Sequence, residues 1–296
     1  MTPGTPAYRV GLIGAGIGMS LSPSLHEREA AALGVTYEYR LLDLLEEGLR
    51  AEDVGEVLAR ARADGFAAVN VTHPCKQLVM RHLSGLDPDA ERLGAVNLVV
   101  FAPDGAAHGY NTDWVGFRDA LETVVPRGRR GDVLQIGCGG AGAATAYALL
   151  ASGTARLRLH DADPGRARDL AERMTSLFPA QEVAIADDAT ATTLSGVDGV
   201  VHATPLGMAH HPGTAFDVRM LRSDAWVADV VYRPLDTELV RAARASGRLV
   251  VDGGGMAVGQ AFASLRIITG LEPDRGRMQR HFVDLIDEET RARRHT

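Results

Sequence analysis

The chain has 296 residues, 46% of them hydrophobic and 23% charged, with a formal net charge of −7. That is enough material for two hydrophobic cores, and the sign of the charge works against nucleic acid or anionic lipid as partners. Two cysteines, Cys75 and Cys138, without Cys-x-x-Cys spacing, argue against a disulfide framework or a zinc site and fit a reducing compartment.

Residues 1–8 lack the basic and apolar regions of a secretory leader, and no apolar run reaches bilayer length, so a cytoplasmic protein is expected. From there, apolar strand-like runs alternate with amphipathic Ala- and Arg-rich stretches, the pattern of parallel sheets covered by helices, which predicts an α/β fold throughout. In the first half, strands are expected near 9–14, 35–42, 66–72 and 96–101, with helices near 23–33, 51–63 and 76–83. Pro103-Asp104-Gly105 marks a turn closing a late hairpin. The breaker-rich stretch 126–131 puts a boundary region between Trp114 and Gly131. The alternation then restarts with strand 132–136, helix 141–151, strand 156–160, helix 164–178 and strand 182–186, followed by strands near 199–203, 226–231 and 248–251. The closing Arg291-Ala292-Arg293-Arg294 is a solvated terminus to which no function is given.

After the apolar strand 132–136 comes Gly137-Cys138-Gly139-Gly140-Ala141-Gly142, a complete G-x-G-x-x-G opening an Ala-rich helix. In such a loop the first glycine makes the tight turn, the second lets the backbone approach a pyrophosphate, and the third permits close helix–strand packing; the helix N-terminus faces the phosphate charge. Asp161 follows about 20 residues later at a strand end, where a carboxylate hydrogen-bonds a ribose 2′-hydroxyl; this predicts NAD. The extra phosphate of NADP would meet like charge there unless Arg166 or Arg168 compensates. The structural alternative for Asp161 is a helix-capping role before Asp163-Pro164. An earlier glycine run, residues 10–18, also follows a strand-like stretch, but Met19 stands where the third glycine belongs, so no second dinucleotide loop is expected.

Four polar segments of the first half fall at strand ends or helix starts, where ligands of open α/β sheets bind. They are Ser20-Leu21-Ser22-Pro23, Asn70-Val71-Thr72-His73-Pro74-Cys75-Lys76, Gly94-Ala95-Val96-Asn97 and Gly109-Tyr110-Asn111-Thr112-Asp113. With the glycine loop they resemble those of the shikimate/quinate dehydrogenase family, and the resemblance extends to Ala203-Thr204-Pro205-Leu206-Gly207-Met208, to Asp229-Val230-Val231-Tyr232-Arg233-Pro234 and to the stretch from Asp252-Gly253 to Gln260.

That resemblance implies a reversible oxidation of the ring 3-hydroxyl of shikimate or quinate by hydride transfer, without metal, in aromatic amino-acid (chorismate) biosynthesis or quinate catabolism. It implies an N-terminal three-layer α/β substrate domain over residues 1–113, completed by C-terminal helices within 255–296. A Rossmann NAD-binding domain over 114–254 follows, with a cleft between. Lys76 and Asp113 become the catalytic pair, since removing a hydroxyl proton while hydride leaves calls for a positioned acid–base couple; a structural salt bridge is the alternative. Ser20 and Ser22 would bind the substrate carboxylate. Ser22-Pro23 also reads as an N-cap followed by Pro at the first helical position, while Ser20 is not needed as that cap. Thr72, Asn97 and Gln260 would hydrogen-bond ring hydroxyls or the carboxylate, and Tyr232 would reach the substrate. Asn70 and Asn111 are equally suited to steadying turns, and His73 to a loop surface. At the cofactor, the loop residues Gly137, Gly139, Gly140, Ala141 and Gly142 join Asp161, Arg166, Thr204, Pro205, Val230 and Gly253.

Three positions depart from the family: Leu98 for a usual Thr, Cys75 for a commonly aromatic residue, and His202 for a usual Asn. Asp161 in place of a basic cluster, and His211-Pro212-Gly213-Thr214-Ala215-Phe216-Asp217, look like the NAD-using quinate/shikimate branch. The substrate expected is a small anionic polyhydroxy cyclohexane or cyclohexene carboxylate, handled by a monomer or homodimer. The competing readings are an NADP-dependent biosynthetic shikimate dehydrogenase, a dehydrogenase of an aminoshikimate-type analogue, and a non-catalytic dinucleotide-sensing regulator.

Overall fold

The structure, a computed structural model, describes residues 8–187, 191–208 and 210–293. Residues 1–7, on which the reading of the N-terminus largely rests, and Arg294 of the basic tail lie outside them. The chain divides into two compact units. One runs to Thr112 and resumes at Gln260; the other is Asp113–Gly259.

The first unit contains β1 (Tyr8–Gly14), α1 (Ser22–Ala32), β2 (Tyr37–Asp43), α2 (Val54–Ala63), β3 (Ala68–Val71), β4 (Gly85–Leu86), α3 (Pro88–Leu93), β5 (Leu98–Phe101) and β6 (Ala107–Tyr110). Its sheet has the order β2-β1-β3-β5-β6-β4. The β2, β1 and β3 strands are parallel, and β5 reverses against β3 and β6. The hairpin turn falls where Pro103-Asp104-Gly105 places it: Ala102 donates its N–H to the carbonyl of Ala106 (2.8 Å) and accepts from the N–H of Gly105 (2.9 Å), and Gly105 takes a φ of +85°. Side chains alternate across the sheet as a period of two requires. Val10, Leu12, Ala68 and Leu98 pack on one face, and Ile13, Val69, Val71 and Val99 on the other with Val57 and Leu58 of α2.

The second unit contains α4 (Asp113–Val124), β7 (Asp132–Ile136), α5 (Gly140–Ala151), β8 (Arg156–His160), α6 (Pro164–Leu177), β9 (Glu182–Ile185), α7 (Ala191–Ser195), β10 (Gly199–His202), β11 (Trp226–Asp229), α8 (Glu238–Ala245) and β12 (Val250–Val251). All six strands are parallel in the order β12-β11-β10-β7-β8-β9. Successive strands run one way from β7 and the other way from β10, so the order reverses between these two, which is where a doubly wound sheet opens a crevice for ligand. Two helices close the chain: α9 (Gly253–Thr269), within which it passes from the second unit to the first, and α10 (Arg275–Arg293).

Three local expectations are corrected. The helix expected at 76–83 is a short 3-10 turn at Leu78–His82. The carbonyl of Lys76 accepts from the N–H of Val96 at 2.8 Å, which takes it out of an i→i−4 ladder. The helix α1 starts one residue early, so Leu21 and not Ser22 is its N-cap, with Pro23 in the second helical position. Ser20 does serve that helix start, because its Oγ accepts from the N–H of Ser22 at 3.2 Å. The region from Trp114 onward, read as a boundary, holds the 12-residue amphipathic α4, whose Phe117, Ala120 and Leu121 are buried.

Candidate active site

In the first unit the loops that follow β1 and β3 are tied to each other. Thr72 donates its N–H to the carbonyl of Ile13 (2.9 Å), Ala15 to that of His73 (3.2 Å), and a Cβ on Gly14 would stand 2.4 Å from the Thr72 methyl. Only glycine lets the two loops approach this closely. The glycine run rejected as a dinucleotide loop has a different occupant. Asp43, at the end of β2 and 5% exposed, accepts from the N–H groups of Gly16 (2.9 Å), Ile17 (2.7 Å) and Leu45 (3.0 Å). Burial would raise the Asp43 pKa, but these backbone donors outweigh it and hold the carboxyl below the usual range. The amides a phosphate would need are therefore satisfied from within the protein.

A second node surrounds Asn97. Its amide accepts from the Thr112 N–H (2.7 Å) and donates to Thr112 Oγ1 (3.0 Å). Its carbonyl accepts from the Val71 N–H (2.8 Å) and from Asn70 Nδ2 (3.2 Å). Its predecessor Val96 donates to the carbonyl of Lys76. Ser264 of α9 meets both Thr112 Oγ1 (3.1 Å) and Asn70 Nδ2 (3.2 Å), and Tyr39 donates to Asn70 Oδ1 (3.0 Å). Asn70, Asn97, Asn111 and Thr112 are all buried, and Asn111 donates to the carbonyl of Ala95 at 3.0 Å. Asn70 is thus a core strut that fixes strand ends. Ser20, Ser22, Thr72, Lys76 and Gln260 are partly buried. Asp113 is 8% exposed and occupies the first turn of α4, where the helix dipole favours its negative charge. Thr112, Ser264 and Asp43 escaped the sequence reading. Only Thr112 carried a signal, as a member of a quoted segment.

In the second unit the glycine loop has the geometry a pyrophosphate requires. Gly137 has a φ of +104°, and a Cβ there would lie 2.5 Å from the carbonyl oxygen of Ala203. One on Gly142 would lie 2.2 Å from that of Gly137, while above Gly139 and Gly140 nothing stands within 4 Å. The first and third glycines are thus required by contact, and the second leaves an open cradle at the start of α5 that suits a dinucleotide. Asp161 lies beside it: its Oδ2 accepts from the Cys138 N–H at 2.7 Å, and its Oδ1 from the Asp163 N–H at 2.9 Å. Asp163, not Asp161, caps α6, accepting from the Gly165 N–H. Arg166 is exposed and reaches Asp163 at 3.5 Å. Thr204 and Val230 follow the ends of β10 and β11, Pro205 is exposed, and a Cβ on Gly253 would meet the carbonyl of Val231 at 2.5 Å. Tyr232 is 38% exposed.

Neither cysteine is suited to nucleophilic chemistry. Burial, with Glu52 nearby, pushes Cys75 up to about 11, and burial with Asp161 pushes Cys138 up to about 12. Among the described residues no group of three or more His, Cys, Asp or Glu could hold a metal, and no helix is long and apolar enough to cross a membrane.

Residues 12–99 match the family model for the shikimate dehydrogenase substrate binding domain. The chain is 51% identical to a shikimate dehydrogenase (NADP+) of Pseudarthrobacter chlorophenolicus over 98% of its own length and 99% of that protein's. It is 43% identical to a quinate/shikimate dehydrogenase (NAD+) of Corynebacterium efficiens, covering 93% and 98%. Among solved structures it is similar to quinate dehydrogenase from Corynebacterium glutamicum in complex with NAD, with a TM-score of 0.88, 42% identity and coverage of 94% and 99%.

Proposed function

The chain belongs to the shikimate/quinate dehydrogenase family of NAD(P)-using oxidoreductases, and from that premise we propose that it oxidises the ring 3-hydroxyl of shikimate or quinate reversibly, with NAD. The products are 3-dehydroshikimate and 3-dehydroquinate. The observation that carries the choice of cofactor is the Asp161 carboxylate, anchored at 2.7 Å on the amide of Cys138. A fixed negative charge at the end of β8 accepts hydrogen bonds from a ribose diol and repels a 2′-phosphate. The names of the NAD-using relatives support the same choice.

With the pyrophosphate held at the glycine loop, the dinucleotide's nicotinamide would supply the hydride acceptor. The residues of this chain do the rest. Nζ of Lys76, as the free amine, takes the proton from the reacting hydroxyl oxygen, and the Asp113 carboxylate orients the amine and the ammonium it becomes. What supports this pairing is the backbone frame: Lys76 is bonded to Val96, its neighbour Asn97 grips Thr112, and Asp113 is the next residue. Ser20 and Ser22 bind the substrate carboxylate through neutral donors, Thr72 and Gln260 address ring hydroxyls, and Tyr232 contacts substrate; Asn97, expected to bind substrate as well, is buried with its amide on Thr112 and instead holds that residue in place. Gly137, Gly139, Gly140, Ala141, Gly142, Thr204, Pro205, Val230 and Gly253 line the cofactor's path.

A second reading, preference for NADP, is favoured by the name of the 51%-identical relative. It requires Arg166, leaving Asp163, or Arg168 to meet the added phosphate. Initial rates with shikimate and quinate, each with NAD and NADP, decide between them. NAD is expected to have the higher kcat/KM by at least about tenfold, and Asp161→Ala to shrink that ratio. Equal or better turnover with NADP removes the NAD assignment, and no turnover with any pair removes the reading altogether.

A further inference from the structure

His202 and Asp229 end two adjacent parallel strands and lie directly opposite each other in register. They are 1% and 2% exposed. Asp229 Oδ1 accepts from the Val231 N–H at 3.0 Å and faces His202 Nδ1 at 3.0 Å, while its Oδ2 accepts from Thr237 Oγ1 at 2.7 Å. Thr237 is itself fixed as the N-cap of α8, where its Oγ1 accepts from the Val240 N–H. A carboxylate held by these donors accepts from the imidazole as well, so the proton of the neutral ring sits on Nδ1 and Nε2 presents a lone pair. The partner of Nε2 is the hydroxyl of Thr204. Thr204 therefore donates its only hydroxyl proton to His202. Its oxygen accepts from the Leu206 N–H at 3.2 Å and keeps a second accepting direction. The Thr204 methyl would stand 3.0 Å from a Cβ on Gly137, which puts this side chain beside the glycine cradle, on the β10 side of the switch point.

We propose that the buried Asp229–His202 pair is a positioning device that makes the Thr204 hydroxyl an obligate acceptor, selecting a hydrogen-bond donor of the bound dinucleotide, either its carboxamide N–H or a ribose hydroxyl. The inference rests on the dinucleotide reading of the glycine loop. It assigns a task to the histidine that departs from the family's usual Asn. An acceptor fixed in this way rejects phosphate and carboxylate oxygens and holds one orientation of a donor, since reversing it would require a second proton in the His202–Thr204 bond.

The test uses direct NADH binding, followed by nucleotide fluorescence, beside steady-state rates. Thr204→Val keeps the side-chain shape and removes the hydroxyl; it is expected to weaken NADH about tenfold and to leave the KM for the ring substrate near wild type. Thr204→Ser restores binding. His202→Leu weakens NADH to a similar extent, and the double variant is no worse than either single one. His202→Asn, which keeps one donor and one acceptor, lies between wild type and His202→Leu and provides the control should His202→Leu not fold. Displacing bound NADH with reduced 3-acetylpyridine adenine dinucleotide, which lacks the amide N–H, and with ADP-ribose, which lacks the whole nicotinamide, locates the donor. A Thr204→Val penalty that vanishes with the acetylpyridine analogue assigns the carboxamide. One that persists with ADP-ribose assigns a ribose hydroxyl. Unchanged NADH binding in Thr204→Val, or a Thr204→Ser variant as weak as Thr204→Val, overturns the proposal. Failure of wild-type protein to bind NADH at all instead removes the cofactor reading beneath it.

Discussion

His26 sits wholly buried on α1, with Nδ1 3.3 Å from the Tyr37 hydroxyl and Nε2 without a partner. Burial pushes its pKa down to about 3. The folded protein holds it neutral, whereas the unfolded chain binds a proton below about 6.5. Its contribution is therefore complete above pH 6.5 and declines as pH falls from there toward 3, with a slope of up to about 1.4 kcal/mol per pH unit. Urea midpoints measured between pH 7 and 5 are expected to fall with acid, and the fall is expected to be shallower in His26→Leu; parallel profiles would show that another group sets the slope. Lys76 is tested by kinetics. Lys76→Ala is expected to lower kcat about a thousandfold while NADH affinity stays near wild type, and undiminished turnover removes it from the proton path.

At the scale of elements, the loops after β1 and β7 follow similar glycine-rich sequences and have opposite fates. The loop after β7 leaves its second glycine open, and its carboxylate neighbour Asp161 takes one amide at the edge. The loop after β1 is closed by Asp43, which binds three of the backbone amides around it. Asp43→Asn is expected to cost about 2 kcal/mol in urea unfolding, the scale of hydrogen bonds to a charged group; a change under a few tenths would mean that the loop holds without it. Most long strands and helices were legible in the sequence, as were the glycine loop and the hairpin turn at Gly105; the 12-residue α4 was not, because it lies between the polar segment 109–113 and the breaker-rich stretch 126–131. The short α3 and α8 were not, because six and eight residues make only about two turns, too few for a helical pattern to be told from a polar loop. The 76–83 stretch has helical composition, yet a single bond from the distant Val96 decides its shape, and no local pattern encodes that. The polar struts Thr112 and Ser264 were hidden for the same reason. Their partners are 15 to 194 positions away.

At the scale of the whole molecule, the chain leaves its first unit at Thr112 and returns to it at Gln260. The return is secured at the start of α10, where Arg277 makes a two-pronged ion pair (2.8 and 2.6 Å) with Glu29 of α1, and the Asp274 N–H donates to the same fully buried carboxylate. Arg28 adds a bond to Glu288 further along α10. A carboxylate buried at this depth requires such partners, so the C-terminal helix is integral to the first unit. The proposed chemistry reduces to one transfer, from ring carbon 3 of the substrate to NAD. The measurement that tests it most directly is mass analysis of the reduced cofactor formed from shikimate or quinate deuterated at carbon 3. Reduced NAD carrying one deuterium is the predicted product. Reduced cofactor without the label, or no reduction of NAD with either substrate, would contradict it.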